Sequence, residues 1–199
     1  MQITIDIRGQ KEVAEILTQA GQRAADLSPA WPDFRGHMRA SIATTFRQGG
    51  RPEKWPKSKR AEEHGGQTLR DKGLLQNSFT FASDRSSFTM GSPDIRARIH
   101  QEGGTIVPKN AKALAIPINA PEGERPRDFL RRLGEKNFFV KREGDGTGII
   151  FQKLPGGGLS PLYALRKSVT MPKRTILQML PEDWDYLRRC LLRHILGEK

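Results

Sequence analysis

The chain has 199 residues, the size of one domain or of one domain carrying an insertion, and enough to bury a core. Its 34 Lys and Arg against 22 Asp and Glu give a formal charge of +12, which points to anionic partners: nucleic acid, an acidic protein surface or anionic lipid. A single cysteine, Cys190, excludes an internal disulfide and a Cys-rich zinc site, and no apolar run approaches the roughly 18 residues of a membrane span.

The opening "MQITIDIRGQ" carries no hydrophobic signal core. Its Ile3, Ile5 and Ile7 alternate with polar residues and predict a short strand over Gln2 to Arg8, ended by Gly9. From Gln10 to Leu27, the positions Val13, Ile16, Leu17, Ala20, Ala24 and Leu27 recur at steps of three and four, the spacing of an amphipathic helix. Ser28-Pro29 reads as its stop. Asp33 reads as the cap of a second helix, whose buried row would be Phe34, Met38, Ile42 and Phe46, with Arg35, Arg39 and Arg47 on the opposite face.

Gly49, Gly50, Pro52 and Pro56 then argue for a polar loop from Gly49 to Gln67, nearly 20 residues long, a length that suggests function or disorder. Arg35 to Arg60 holds eight Lys or Arg against Glu53, a local patch of eight minus one, +7. Phe79 and Phe81, then Phe88 and Met90, alternate with polar residues on either side of "SDRS", a hairpin. Strand-like runs recur at Thr105 to Val107, Ala113 to Ile118, Phe138 to Lys141, Ile149 to Lys153 and Tyr163 to Val169.

Between Pro121 and Asn137 the charge-rich "PEGERPRDFLRRLGEKN" predicts a short helix in an insertion, with Phe129, Leu130 and Leu133 as its large apolar residues. Pro181 to Gly197 predicts a closing helix with Trp184, Leu187, Leu191 and Ile195 in register and Cys190 as a small core residue. Glu182 and Asp183 stand at its positive dipole end, Arg193 and His194 at the other. The economical architecture is α+β: a mostly antiparallel sheet packed against N-terminal and C-terminal helices, with a long basic loop and an Arg-rich insertion at 121–137, in one domain over 1–199.

Catalytic and metal-binding patterns are not found. His37, His64, His100 and His194 do not stand at zinc spacing from one another or from Cys190. "EEHGG" around His64 reads as solvated surface. Ser78, Ser92, Asp94 and Glu102 lie near His100, but no nucleophile elbow surrounds them, so His100 before its Gly pair reads as a turn-stabilising residue. The glycine clusters at 144–148 and 156–158 have no Walker lysine-hydroxyl pair and read as hairpin tips. No cofactor is expected, and the chain is read as a non-enzyme.

The stretch "RPEKWPKSKR" carries Arg51, Lys54, Trp55, Lys57, Lys59 and Arg60. Two readings fit it. An aromatic among cations can stack on bases while the cations neutralise phosphates, or a basic loop can dock on an acidic protein with Trp55 as anchor, a residue type enriched at interface hot spots.

Four motifs, in order from about Val13 to Leu196, resemble the phage virion morphogenesis family, the tail-completion and neck proteins of Mu-like contractile-tailed phages. A helix ending at Phe46 and a Gly- and Pro-containing loop with Trp55 resemble its first signature. "TLRDKGLLQNSF" supplies Leu69, Asp71, Gly73, Leu75 and Ser78, and "MGSPDIRARIHQEGG" supplies Gly91, Ala97, Ile99, His100, Gln101 and Gly103. "MPKRTILQMLPED" supplies Pro172, Arg174, Leu177, Glu182 and Asp183. Lys72 and Arg96 stand where the family usually has Thr and Tyr, and Glu124 to Lys136 matches no family motif.

This resemblance implies a structural virion component, made in the bacterial host cytoplasm and located in the tail or neck. It would complete the tail and join it to the head as a homo-oligomeric ring, a hexamer being one candidate size. The partners implied are portal, connector, tail-tube or terminator proteins, with no membrane. The alternative is a DNA-binding protein that uses the Arg35 to Arg60 surface.

Overall fold

A computed structural model describes residues 9–63, 65–121, 124–144 and 146–198. The strand expected at Gln2 to Arg8 and the side chain of His64 lie outside the described residues. The chain divides into two compact units: a discontinuous one built from Met1–Glu102 and Pro172–Lys199, and a continuous one, Gly103–Met171. The fold is α+β, and its strands fall into three antiparallel sheets rather than one.

In the discontinuous unit, α1 (Gln10–Ala24) ends three residues before the expected Leu27. Asp26 explains the stop, because its carboxylate accepts from the Ser28 amide and hydroxyl, a local bond that competes with helix continuation. Ser28-Pro29 is less a break than a hinge of 3-10 turn, Ser28–Ala30, feeding directly into α2 (Trp31–Gln48). Asp33 is therefore not the cap; it sits in the first turn, 3.6 Å from Arg193. The buried row is as expected, with Phe34, Met38, Ile42 and Phe46 all at most 5% exposed.

Two short helices follow, α3 (Lys59–Glu63) inside the stretch expected to be irregular, and α4 (Leu74–Asn77). The hairpin β1 (Thr80–Ser83) and β2 (Phe88–Gly91) forms as expected, its turn held by Asp84, which accepts from the Ser86 and Ser87 amides and the Ser87 hydroxyl. Those donors hold the Asp84 carboxyl down at about 2. Then comes α5 (Ile95–Glu102), a helix that contains His100 where the sequence suggested a turn.

The unit closes with α7 (Pro181–Leu196), and two clusters make its core. In one, Trp31, Phe34 and Met38 meet Phe81, Phe88 and Met90 of the hairpin and Tyr186, Leu187 and Leu191 of α7. In the other, Ile42, Phe46, Trp55, Leu75 and Ile176 pack together, with Phe79, Ala97 and Leu177 at the margin. Cys190 is buried, and burial pushes its thiol up. Trp184, expected on the buried row, is 58% exposed, because the inward position one residue earlier belongs to Asp183.

The continuous unit holds β3 (Gly104–Ile106), β4 (Leu114–Pro117), α6 (Pro126–Leu133), β5 (Phe138–Glu143), β6 (Thr147–Lys153), β7 (Leu159–Arg166) and β8 (Val169–Met171). β3 pairs with β8 where the chain enters and leaves the unit, and the rest form a sheet of order β4-β7-β6-β5. Phe129, Leu130 and Leu133 of α6 cover one sheet face at Ile150, Leu162 and Tyr163. The run Tyr163 to Val169 thus splits into two strands in different sheets. The helix expected at 121–137 is present, within a compact unit that runs wider than those residues.

What ties α2 to α7 is polar. Asp183 is fully buried, accepts from the Leu180 amide to cap its own helix, and accepts from His37 Nε2 at 2.7 Å and Ser41 Oγ at 3.1 Å. Replacing Asp183 with Ala strands the buried Ser41 hydroxyl, the partly buried His37 and an amide, so chemical denaturation should show a loss of about 2–5 kcal/mol. Asp183→Asn, which keeps two acceptor lone pairs, should lose less.

Candidate functional site

The loop that follows α2 is built around one aromatic contact. Gly50, at φ +113°, lets the chain turn back on itself: a Cβ there would run into the Glu53 carbonyl and the Trp55 amide. Trp55 N then donates to Gly49 O at 2.7 Å, and the indole ring meets Phe46 edge-on, centroids 5.4 Å apart. Trp55 is 8% exposed, and its Nε1 donates to Thr175 O at 2.9 Å. This corrects the reading of Trp55 as an exposed anchor: the ring is core, and its polar edge pins a distant strand of chain.

Arg51 also faces inward. Its guanidinium donates to Thr45 Oγ1, Ser41 O and Ser41 Oγ and pairs with Glu182 at 3.2 Å, so it belongs to the polar tie between α2 and α7. Arg60 is half-committed, donating to Gln67 O at 2.6 Å and lying 3.8 Å from Asp71. The cations left facing solvent are Lys54, Lys57 and Lys59. Lys54 donates to Gln48 O, whereas Lys57 and Lys59 have no carboxylate partner among the described residues.

A further cation joins Lys54 from far along the chain. Lys173 lines the same cleft as Arg51, Lys54 and Trp55, a hollow of about 500 Å³, and it too is exposed without an ion pair among the described residues. Sequence reasoning missed it because it lies 116 positions beyond Lys57. The signal was its neighbour: Arg174 was singled out as a motif residue, and Lys173 is the residue next to it.

Arg174 is 3% exposed. Its Nε donates to Pro56 O at 2.9 Å, its Nη2 to Lys57 O at 3.3 Å and its amide to His100 O at 2.7 Å. Gln101 adds three bonds, accepting from the Ile176 and Leu177 amides and donating to Leu177 O. Segment 172–180 has no regular hydrogen bonding of its own, so these side chains substitute for a sheet partner. Loop, α5 and segment 172–180 are thereby hydrogen-bonded to one another beneath the lysines.

The remaining motif residues are local supports. Gly73 takes φ +73° to start α4, Leu75 is buried in the core, and Ser78 Oγ donates to Leu75 O and lies 2.6 Å from Ser92 Oγ. Gly103 ends α5 at φ +71°. Gly91 pairs with Thr80, and a Cβ there would meet open space, so the structure gives no steric reason for glycine. Pro172 starts the tethered segment and is exposed. Arg96 forms an ion pair with Asp94 at 2.6 Å, which helps hold that carboxyl at about 2. Among the described residues no group of three or more His, Cys, Asp or Glu is gathered as metal ligands are.

His100 sits partly buried beside two guanidinium groups. Burial first, then Arg174 and Arg96, lower its pKa below the ordinary 6.5. The neutral form is thus the folded form, and the unfolded chain binds the proton more tightly. Stability should be complete above about pH 6.5 and fall as pH drops below it, and a melting-temperature profile of His100→Gln should be flatter over that range than that of the native protein. Trp55→Ala removes a buried indole and should cost about 3–5 kcal/mol in chemical denaturation, with Trp55→Phe intermediate.

No curated protein and no solved structure matches the chain. The model of the phage virion morphogenesis family matches residues 9–126, more than half of the chain, covering α1 through β4 and with them the Trp55 loop, Gly73, Ser78 and His100. On that match, and on the internal roles that the structure gives to those residues, the chain belongs to the phage virion morphogenesis family.

Proposed function

We propose that the protein is a non-enzymatic structural component that completes the phage tail and joins it to the head at the neck, as one subunit of a homo-oligomeric ring. In this reading the exposed lysines of the 54–59 loop, with Lys173, dock on an acidic surface of a neighbouring virion protein. Membership of a family of virion morphogenesis proteins supports the assembly role. The observation that carries the docking surface is the set of exposed residues Lys57, Lys59 and Lys173, none with a carboxylate partner among the described residues, on a loop and a segment tied together by Arg174, Gln101 and Trp55. That tie spares the backbone, though not the lysine side chains, from ordering on binding.

The same unpaired lysines support a second reading, DNA as the anionic partner. Lys57→Glu, Lys59→Glu and Lys173→Glu combined touch no internal bond of those side chains, so the variant should fold and melt as the native protein does. In complementation of a phage lacking the gene, it should lower the yield of joined, infectious particles about tenfold or more, with separate heads and tails accumulating. Normal joining would remove this surface from the interface. Native protein that retards DNA at about 50 mM salt and releases it at about 200 mM would instead favour the DNA reading.

A further inference from the structure

α1 is an amphipathic helix with half of its apolar stripe bare. Its C-terminal end is fixed to the end of α7: His194 Nε2 lies within 3.0 Å of Arg23 O and 2.8 Å of Asp26 O, and Arg23 Nη1 donates to Ile195 O. Its first turns have no such cover. Val13, Ile16 and Leu17 are 55%, 62% and 66% exposed, and α1 contains no buried residue. Three large apolar side chains at i, i+3 and i+4 are the anchor pattern of a helix that lies in a groove.

A partly apolar groove lies around Phe79 on the same unit: two hollows, of about 320 and 220 Å³, both have Phe79 in their walls. Ile42, Ala43 and Phe81 line the first together with Gln76 and Asn77, and Ala97 and Leu177 line the second together with Arg98, Gln101 and Glu102. Arg39 stands at the rim over the Phe81 ring, with no carboxylate partner among the described residues. α1 offers the opposite charge: Glu12 borders its stripe and is also without an ion pair among the described residues. The apolar stripe meets Phe79, Phe81 and Ile42, and Glu12 meets Arg39.

We propose that α1 of one copy docks in the Phe79 groove of a second copy of this chain, giving a head-to-tail contact. Donor and acceptor surfaces are different patches of the same molecule, so each copy can give one helix and receive one, and the contact propagates until it closes on itself. The proposal rests on the ring-subunit reading and names the surfaces that would build it.

The test is the solution mass of the full chain by light scattering over a range of concentrations. Leu17→Asp should disable the helix and Ala43→Arg the groove, each weakening self-association about tenfold or more, while circular dichroism stays that of the native protein. If Ala43→Arg does not fold, the exposed Arg39→Glu takes its place. Mixed in equal amounts, the two variants should form a dimer and stop there, because the mixture holds one good helix and one good groove. A native chain that stays monomeric, a Leu17→Asp variant that associates like the native chain, or a mixture that stays monomeric would each overturn the proposal. The mass readout is independent of head-to-tail joining in the phage, so this contact can fail while the lysine surface stands, and the reverse.

Discussion

A buried carboxylate governs the larger unit. Asp183 has no exposure to water, and an isolated ionised carboxyl in that position would be prohibitively costly. Its cost is offset because it receives a complete set of donors from two directions. The Leu180 amide comes from its own helix end, and His37 and Ser41 come from α2. Those donors are held in turn: His37 stacks on Tyr186 with ring centres 4.0 Å apart, and Ser41 takes the Arg51 guanidinium, which reaches on to Glu182. Apolar packing between α2 and α7 would tolerate some sliding, but this network accepts one register only. Helix pairing, the start of α7 and the base of the basic loop are all set by it.

The second constraint is a piece of chain without secondary structure. Segment 172–180 has no regular secondary structure, and its polar groups are satisfied by side chains that the sequence scatters widely. Trp55 comes from the loop, Gln101 from α5, and Arg174 reaches back to the loop carbonyls. This explains why motif residues so distant along the chain occur together. They are the two halves of one set of hydrogen bonds, and the lysines above them are positioned as a by-product.

Much of this was legible in the sequence where periodicity reports burial. The row Phe34, Met38, Ile42 and Phe46 was readable because each step of four residues returns to one helix face, and Phe81 against Phe88 because strands alternate. The division of strands among three sheets was not, since Tyr163 to Val169 reads as one apolar run whether or not it changes partner. Trp55 misled for a related reason: a tryptophan among lysines has the composition of a surface, and only the tight turn at Gly50 shows that the ring points inward. Asp183 was visible as a helix-dipole residue but not as a buried one, because burial of a carboxylate depends on donors from a helix that starts about 150 residues earlier.

The discontinuity of the larger unit has a consequence for its synthesis. Everything from Gly103 to Met171 leaves the ribosome before the residues that complete the first unit, and it is continuous, so its sheet can close as soon as it emerges. The first unit must wait with Trp31, Phe34 and Met38 covered by the hairpin alone until α7 arrives. The lysine surface and the Phe79 groove share that wait, because both need segment 172–180. A half-made chain therefore has neither surface finished until segment 172–180 and α7 have emerged.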